Sequence, residues 1–157
     1  GQSSPTTKIG TITSSTPFGK LEAATSPLEL YLTLGVTYIA SGFSGQPRPL
    51  AKLIKQGMDH AGFSIVHVQS PCTTYHDNYE ELKGNQKQGV EPALWAIPED
   101  HDPSDRAEAS RLLQQGGTPV GVLYKDESRP SLDQQFEQLW EKTKPRTVEE
   151  LMGSFQI

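Results

Sequence analysis

The only cysteine of the chain, Cys72, sits in the run Gln69-Ser70-Pro71-Cys72-Thr73-Thr74-Tyr75, just past a strand-like segment. Three chemistries are open to it. A lone thiol commonly packs as a small, inert, buried hydrophobe. With His76 four residues on, it also has a nucleophile's spacing, because a nearby imidazolium favours the thiolate. As a thiolate it suits, thirdly, a metal or iron–sulfur site whose remaining ligands come from outside this chain. The four histidines say less. His67 falls inside a predicted strand and is expected in the core. His60 lies near a helix end, where its cation would face the negative dipole pole. His101 stands between Asp100 and Asp102 and is expected as a surface pair. No two of them have a spacing that demands a metal. The chain has no P-loop, GxGxxG, CxxC, HExxH or GxSxG pattern.

The elements that must position these groups begin at Ser26. Ser26-Pro27-Leu28-Glu29 reads as a capping box with Pro at the first helical position, and the helix it opens stops at Gly35. Residues 36–40 read as a strand, and Gly42-Phe43-Ser44-Gly45 as a turn into a second helix. Leu50, Leu53, Ile54 and Met58 form that helix's predicted buried face, with Gly62 as its end. Residues 64–69 then read as a short buried strand, and 74–99 as a polar stretch with little period. Asp102 is the expected N-cap of a third helix, with Asp105 supporting it, and 119–124 the third strand. Strand–helix–strand order points to a mostly parallel α/β sheet. Beyond it, Ser131 and Gln134 form a capping box, Leu132, Phe136, Leu139 and Trp140 an apolar stripe, and Pro145 a helix break. A last helix is capped by Thr147 and Glu150. Its Leu151, Met152, Phe155 and Ile157 are too apolar for a free tail, so docking on this domain or another chain is expected.

The first 25 residues differ in kind. Ten are Ser or Thr, and only Ile9, Ile12, Phe18 and Leu21 offer apolar anchors. Composition alone favours a disordered tail, against an ordered loop over a partner or cofactor. For the whole chain, 157 residues suffice for one core, yet hydrophobic residues are only 34% while Gly and Pro number 14 and 12. The net charge of −5 argues against nucleic-acid binding. No apolar run is long enough to span a bilayer, so no membrane partner is expected. A single cysteine suits a reducing, cytoplasmic setting, and the sequence opens with neither an initiator Met nor a signal-peptide pattern.

Taken together, Ser41-Gly42-Phe43-Ser44-Gly45, the Lys-rich helix and Ser70-Pro71-Cys72-Thr73-Thr74-Tyr75 resemble the β subunit of 2-oxoacid:ferredoxin oxidoreductases, most of all the 2-oxoglutarate type. Gly1-Gln2-Ser3-Ser4-Pro5-Thr6-Thr7 resembles the segment following that subunit's thiamine-diphosphate and Mg²⁺ motif. His101-Asp102-Pro103-Ser104-Asp105-Arg106-Ala107 and Gly121-Val122-Leu123-Tyr124 resemble its C-terminal region. The likeness runs to about Pro130 and is weaker after it.

The resemblance implies a three-layer α/β fold, part of a thiamine-diphosphate-binding domain with a mostly parallel sheet plus C-terminal helices. It divides the chain into a cofactor- or partner-facing loop (1–25), the C-terminal half of the cofactor domain (26–126) and a helical segment (127–157). It makes Cys72 the fourth ligand of a [4Fe–4S] cluster. Gly1 and Gln2 would abut the thiamine diphosphate. The Gly-Asp-Gly motif for Mg²⁺ and the other cluster cysteines are expected upstream, in the N-terminal half of the β subunit. Implied partners are that half, an α subunit, ferredoxin, a 2-oxoacid and coenzyme A. The implied reaction is oxidative decarboxylation, of 2-oxoglutarate to succinyl-CoA and CO₂ or, in the pyruvate-type alternative, of pyruvate. A non-catalytic α/β interaction domain with a buried Cys72 and a Cys72–His76 thiol enzyme are the rivals outside this class.

Overall fold

Strand β1 (Tyr38–Phe43) is buried along its whole length, and its alternating side chains seed two cores. Ile39 faces one of them, with Leu28 and Leu32 of α1 (Pro27–Thr33), Ala109 and Leu112 of α4 (Arg106–Leu113) and Leu123 of β4 (Thr118–Lys125). Tyr38 and Ala40 face the other, against Leu53 of α2 (Pro47–Asp59). Helices therefore cover both faces of the sheet, giving the expected three layers. This computed structural model describes residues 1–143 and 146–155, so the expected break at Pro145 and the apolar Ile157 lie outside the described residues.

The sheet has four strands in the order β2-β1-β4-β3, with β2 at Ser64–Gln69 and β3 at Leu94–Ala96. β1 pairs in parallel with β2, and β3 in parallel with β4, while β1 and β4 meet antiparallel. The sheet is mostly parallel, as expected, and the central antiparallel pair is new. It confines the shared carboxyl edge near Cys72 to β1 and β2.

Several local expectations are corrected. β1 continues through Ser41 to Gly42 and Phe43, two residues that the sequence suggests as turn. The bare Gly42 backbone admits Leu50 of α2, whose methyl would lie 2.8 Å from a Cβ there. α2 ends at Asp59 with His60 as C-cap, short of Gly62. It buries Leu53 and Gly57 rather than Ile54 and Met58, because Gly57 lets the Tyr38 ring close in. Met58 is 81% exposed. β2 is a half-buried edge strand. The polar stretch contains α3 (Tyr79–Lys83), a 3₁₀ turn at Gln86–Gln88 and β3.

The N-cap of α4 is Asp105, whose carboxylate accepts from the Ala107 and Glu108 amides. Asp102 instead accepts from the Ser104 amide and hydroxyl in its own turn. His101 is likewise no surface residue. Its side chain is 3% exposed, its Nε2 lies 2.9 Å from the Leu123 carbonyl, and its Nδ1 lies 3.4 Å from Glu108. The capping boxes of α5 (Leu132–Lys142) and α6 (Val148–Gly153) are both present. Neither helix has a buried residue, and Trp140 is 70% exposed.

Residues 1–25 form an ordered loop folded around a residue the sequence did not single out. The Lys20 ammonium, buried within the loop, donates to the Pro5 and Thr7 carbonyls, while Gly10 and Lys20 pair through their backbones. Lys8 ties the loop to Glu81 of α3. The apolar residues expected to anchor it, Ile9, Ile12, Phe18 and Leu21, face solvent instead.

Candidate functional site

Cys72 stands three residues past the end of β2, on a turn closed by reciprocal backbone hydrogen bonds. The Cys72 amide donates to the His76 carbonyl at 3.1 Å, and the His76 amide donates to the Cys72 carbonyl at 2.9 Å. The two ends of the turn are thus held together. The thiol is free and exposed, which removes the buried, inert reading. Backbone amides of Tyr75, Thr74 and His76 donate toward the sulfur and hold its pKa below the usual thiol range. A thiolate in such a setting is a competent metal ligand.

Gly1 lies against the ring of Tyr75, which would be 3.9 Å from a Cβ on Gly1. Its carbonyl accepts from the Ser14 amide and hydroxyl. The structure thereby brings together two of the sequence-predicted features, the Gly1 end of the loop and the Cys72 turn. Gln2 is exposed beside them. Phe43, at the end of β1, stacks on Tyr79, which carries the Lys83 ammonium 5.6 Å from its ring centroid.

The donor set limits what this chain holds by itself. Cys72 supplies one thiolate, which fits a single ligand position of a cluster. Among the described residues no three His, Cys, Asp or Glu side chains converge. Gly1 and Gln2 offer backbone groups but no carboxylate, so these residues do not make a Mg²⁺–diphosphate site.

The imidazole of His76 is not what lowers the Cys72 pKa; the contribution comes from its backbone. A thiol enzyme of the Cys–His kind depends on the imidazole. For the chain in its iron-free form, alkylation of Cys72 by iodoacetamide should reach half its maximal rate below the pH of an ordinary thiol. His76→Asn should leave that pH profile in place. A profile displaced by His76→Asn would restore the thiol-enzyme reading.

The remaining histidines are structural. His60 does not act as a cation at the helix end. Burial and the Lys125 ammonium push its pKa down, and its Nε2 pairs with the Thr37 hydroxyl at 2.9 Å. Burial also pushes His67 down, beside the Tyr31 ring at 6.3 Å. Both are held neutral in the fold but protonate freely when unfolded, so unfolding takes up protons as pH falls. Their contribution to stability is complete above about pH 6.5 and declines as pH falls through the depressed folded values. Urea midpoints should therefore drop between pH 7.5 and 5.5, and His60→Asn with His67→Asn should flatten that drop. An unchanged slope in the double variant would contradict the assignment.

The chain is similar to several known proteins. Residues 91–141 match the family model for the C-terminal region of the pyruvate ferredoxin oxidoreductase beta subunit, past the Pro130 limit seen in the sequence. The 2-oxoacid:ferredoxin oxidoreductase subunit beta of Saccharolobus solfataricus is 27% identical over 143 residues, 87% of this chain and 47% of that protein. The 2-oxoglutarate synthase subunit KorB of Methanothermobacter thermautotrophicus is 39% identical over 83 residues, 53% of this chain and 29% of that protein. A solved 2-oxoglutarate:ferredoxin oxidoreductase from Magnetococcus marinus, with 2-oxoglutarate, coenzyme A and succinyl-CoA bound, superposes with a TM-score of 0.83 at 34% identity. That match covers 100% of this chain and 53% of the other. The chain spans about half the length of the relatives that it matches most fully.

Proposed function

The chain is a homologue of the C-terminal part of the β subunit of 2-oxoacid:ferredoxin oxidoreductases, and from that premise we propose that it serves CoA-dependent oxidative decarboxylation of 2-oxoglutarate, with Cys72 as one thiolate of a [4Fe–4S] cluster. The observation that carries the reading is the exposed Cys72 thiol in a turn whose amides favour the thiolate, beside the Gly1 end of the loop. The 2-oxoglutarate type is favoured by the 34% identity to the Magnetococcus marinus enzyme over the whole chain and by the KorB relatives.

A bound cluster accepts and passes on electrons singly, toward a ferredoxin. This chain's residues determine what that cluster feels. The Cys72 turn presents the sulfur, and amides donating to it stabilise added negative charge, which raises the potential. The tie between Cys72 and His76 holds the backbone that carries the thiolate. Loop 1–25, braced on Lys20, forms one wall beside the thiamine diphosphate, near which Gly1 and Gln2 lie. The Mg²⁺ donors and the other cluster thiolates come from outside this chain, in the N-terminal half of the β subunit. The enzyme is completed by an α subunit and works in the cytoplasm. Among the described residues no helix is long and apolar enough to cross a membrane.

The test is turnover of the complete enzyme with viologen dye or ferredoxin as acceptor. Reduction should require both coenzyme A and 2-oxoglutarate and should run at least about tenfold faster than with pyruvate, a margin worth roughly 1.4 kcal/mol. Faster turnover of pyruvate would assign the pyruvate type. Absence of turnover with either acid would overturn the reading.

A further inference from the structure

The centre of loop 1–25 is a buried cation held entirely by main-chain oxygens. Lys20 is 6% exposed, and among the described residues no carboxylate pairs with it. An ammonium taken out of water without a counter-charge is costly unless its donors are used. Of the three N–H donors that a lysine carries, one reaches the Pro5 carbonyl at 3.1 Å and one the Thr7 carbonyl at 2.9 Å. The backbone of the same residue closes two further contacts. The Gly10 amide donates to the Lys20 carbonyl at 2.7 Å, and the Lys20 amide donates to the Thr11 carbonyl at 3.0 Å. Lys20 thus ties residues 5–7 and 10–11 to itself, and the ammonium makes its two bonds stronger than neutral ones.

From this hub, contacts lead to the Cys72 turn. The Pro5 carbonyl also accepts from the Thr25 amide at 2.9 Å, which fixes the exit of the loop toward α1. The Thr7 hydroxyl accepts from the Ser4 amide at 2.9 Å, and the Ser3 amide donates to the Ser15 hydroxyl at 2.8 Å. The Gly1 carbonyl is held by the Ser14 amide and hydroxyl, and Gly1 lies against the Tyr75 ring. Tyr75 in turn supplies an amide directed at the Cys72 sulfur. Little else holds the loop in shape. Its apolar residues Ile9, Ile12, Phe18 and Leu21 face solvent, and the Lys8–Glu81 pair is exposed, where such a pair contributes little.

We propose that Lys20 is a positioning residue for the Cys72 site, holding loop 1–25 in the shape that sets its Gly1 end against the Cys72–His76 turn. It acts through Gly1 and Tyr75 rather than on the sulfur itself. The charge is what matters. A methionine in this place fills a similar volume but leaves the Pro5 and Thr7 carbonyls without the donor that the fold provides. The inference rests on the reading of Cys72 as the functional thiol of this chain, and one of its two readouts is independent of the cluster.

The test compares Lys20→Met, Lys20→Arg and Glu81→Gln in the complete enzyme. It reads amide hydrogen exchange and the rate at which a ferrous-iron chelator strips the cluster. Lys20→Met should speed exchange of the Gly10 and Thr25 amides, and of the Cys72 and His76 amides, by about tenfold or more. Chelation should accelerate by about the same factor. Lys20→Arg keeps donors for both carbonyls and should stay within about threefold of the wild type, as should Glu81→Gln. Faster exchange confined to the loop, with the Cys72 and His76 amides unmoved, would overturn the proposal. Equal losses in Lys20→Arg and Lys20→Met would do so too. Faster exchange of the buried β1 amides as well would make Lys20 a general stabiliser and sink the positioning role. A wild type with no cluster to strip would instead count against the [4Fe–4S] reading of Cys72, and the exchange rates would still decide the role of Lys20.

Discussion

Gly117→Ala should destabilise the fold by about 3 kcal/mol and lower its melting temperature by about 10 °C. Gly117 has φ +66°, in the left-handed region, and links α4 to β4. A Cβ there would lie 2.5 Å from the Ala93 carbonyl oxygen and 3.1 Å from the Trp95 ring. That carbonyl accepts from the Thr118 amide at 2.8 Å, the bond that starts the β3–β4 pairing. The obstacle is backbone, so relief requires the short β3 to move off β4. Gly116→Ala is the control. Its φ of +81° carries the same backbone cost, but nothing lies within 4 Å of the added carbon. It should cost about 1 kcal/mol. Equal losses in the two variants, measured by thermal unfolding, would show that the Ala93 contact has no role.

What the sequence reveals about this fold follows from how local the cause of each element is. The capping boxes of α5 and α6 are contained within four residues each, and both were legible. Cys72 at the end of β2 was legible too, because Ser-Pro-Cys follows a β-branched run directly. The start of α4 differs from the sequence expectation for a physical reason. Asp102 and Asp105 are both good caps, and only the competing turn from Asp102 to Ser104 decides between them. β3 is three residues long and exists because β4 pairs with it. No periodicity in Leu94–Ala96 announces that. The burial of Leu53 and Gly57 in place of Met58 depends on the Tyr38 ring, nineteen positions from Gly57 in sequence and adjacent only in space.

The shape of loop 1–25 was hidden for a similar reason. Its centre is the buried ammonium of Lys20 held by carbonyls, whereas pattern reading looks for apolar anchors. Those anchors are displayed instead, with Phe18 97% exposed. The molecule as a whole shows the same excess. Its accessible surface is 11578 Å², where a compact monomer of this mass would have about 7,800 Å². The low hydrophobic content is thus accompanied by apolar side chains placed outward on loop 1–25, on α2 and on α5 and α6. Such faces are unusual for a protein that works alone.

Replacing Cys72 by serine should leave the fold intact and remove the cluster. The side chain is exposed, and the turn that carries it is closed by the backbone of residues 72 and 76 rather than by the thiol. Melting temperature should therefore change by no more than about 1 °C, as for a surface substitution. A serine hydroxyl is not ionised near neutral pH and is a harder donor than sulfur, so it replaces a cluster thiolate poorly. Acceptor reduction driven by 2-oxoglutarate and coenzyme A should fall by at least about a hundredfold, since electron transfer then has no intact centre to pass through.

The most direct measurement is EPR of the complete enzyme after anaerobic reconstitution with iron and sulfide and reduction by dithionite, with Cys72→Ser prepared in parallel. The wild type should show a reduced [4Fe–4S] signal, and the variant should lose it or show the altered spectrum of a three-iron or oxygen-ligated cluster. An unchanged signal in Cys72→Ser, with electron transfer to ferredoxin intact, would contradict the assignment of Cys72 as a ligand.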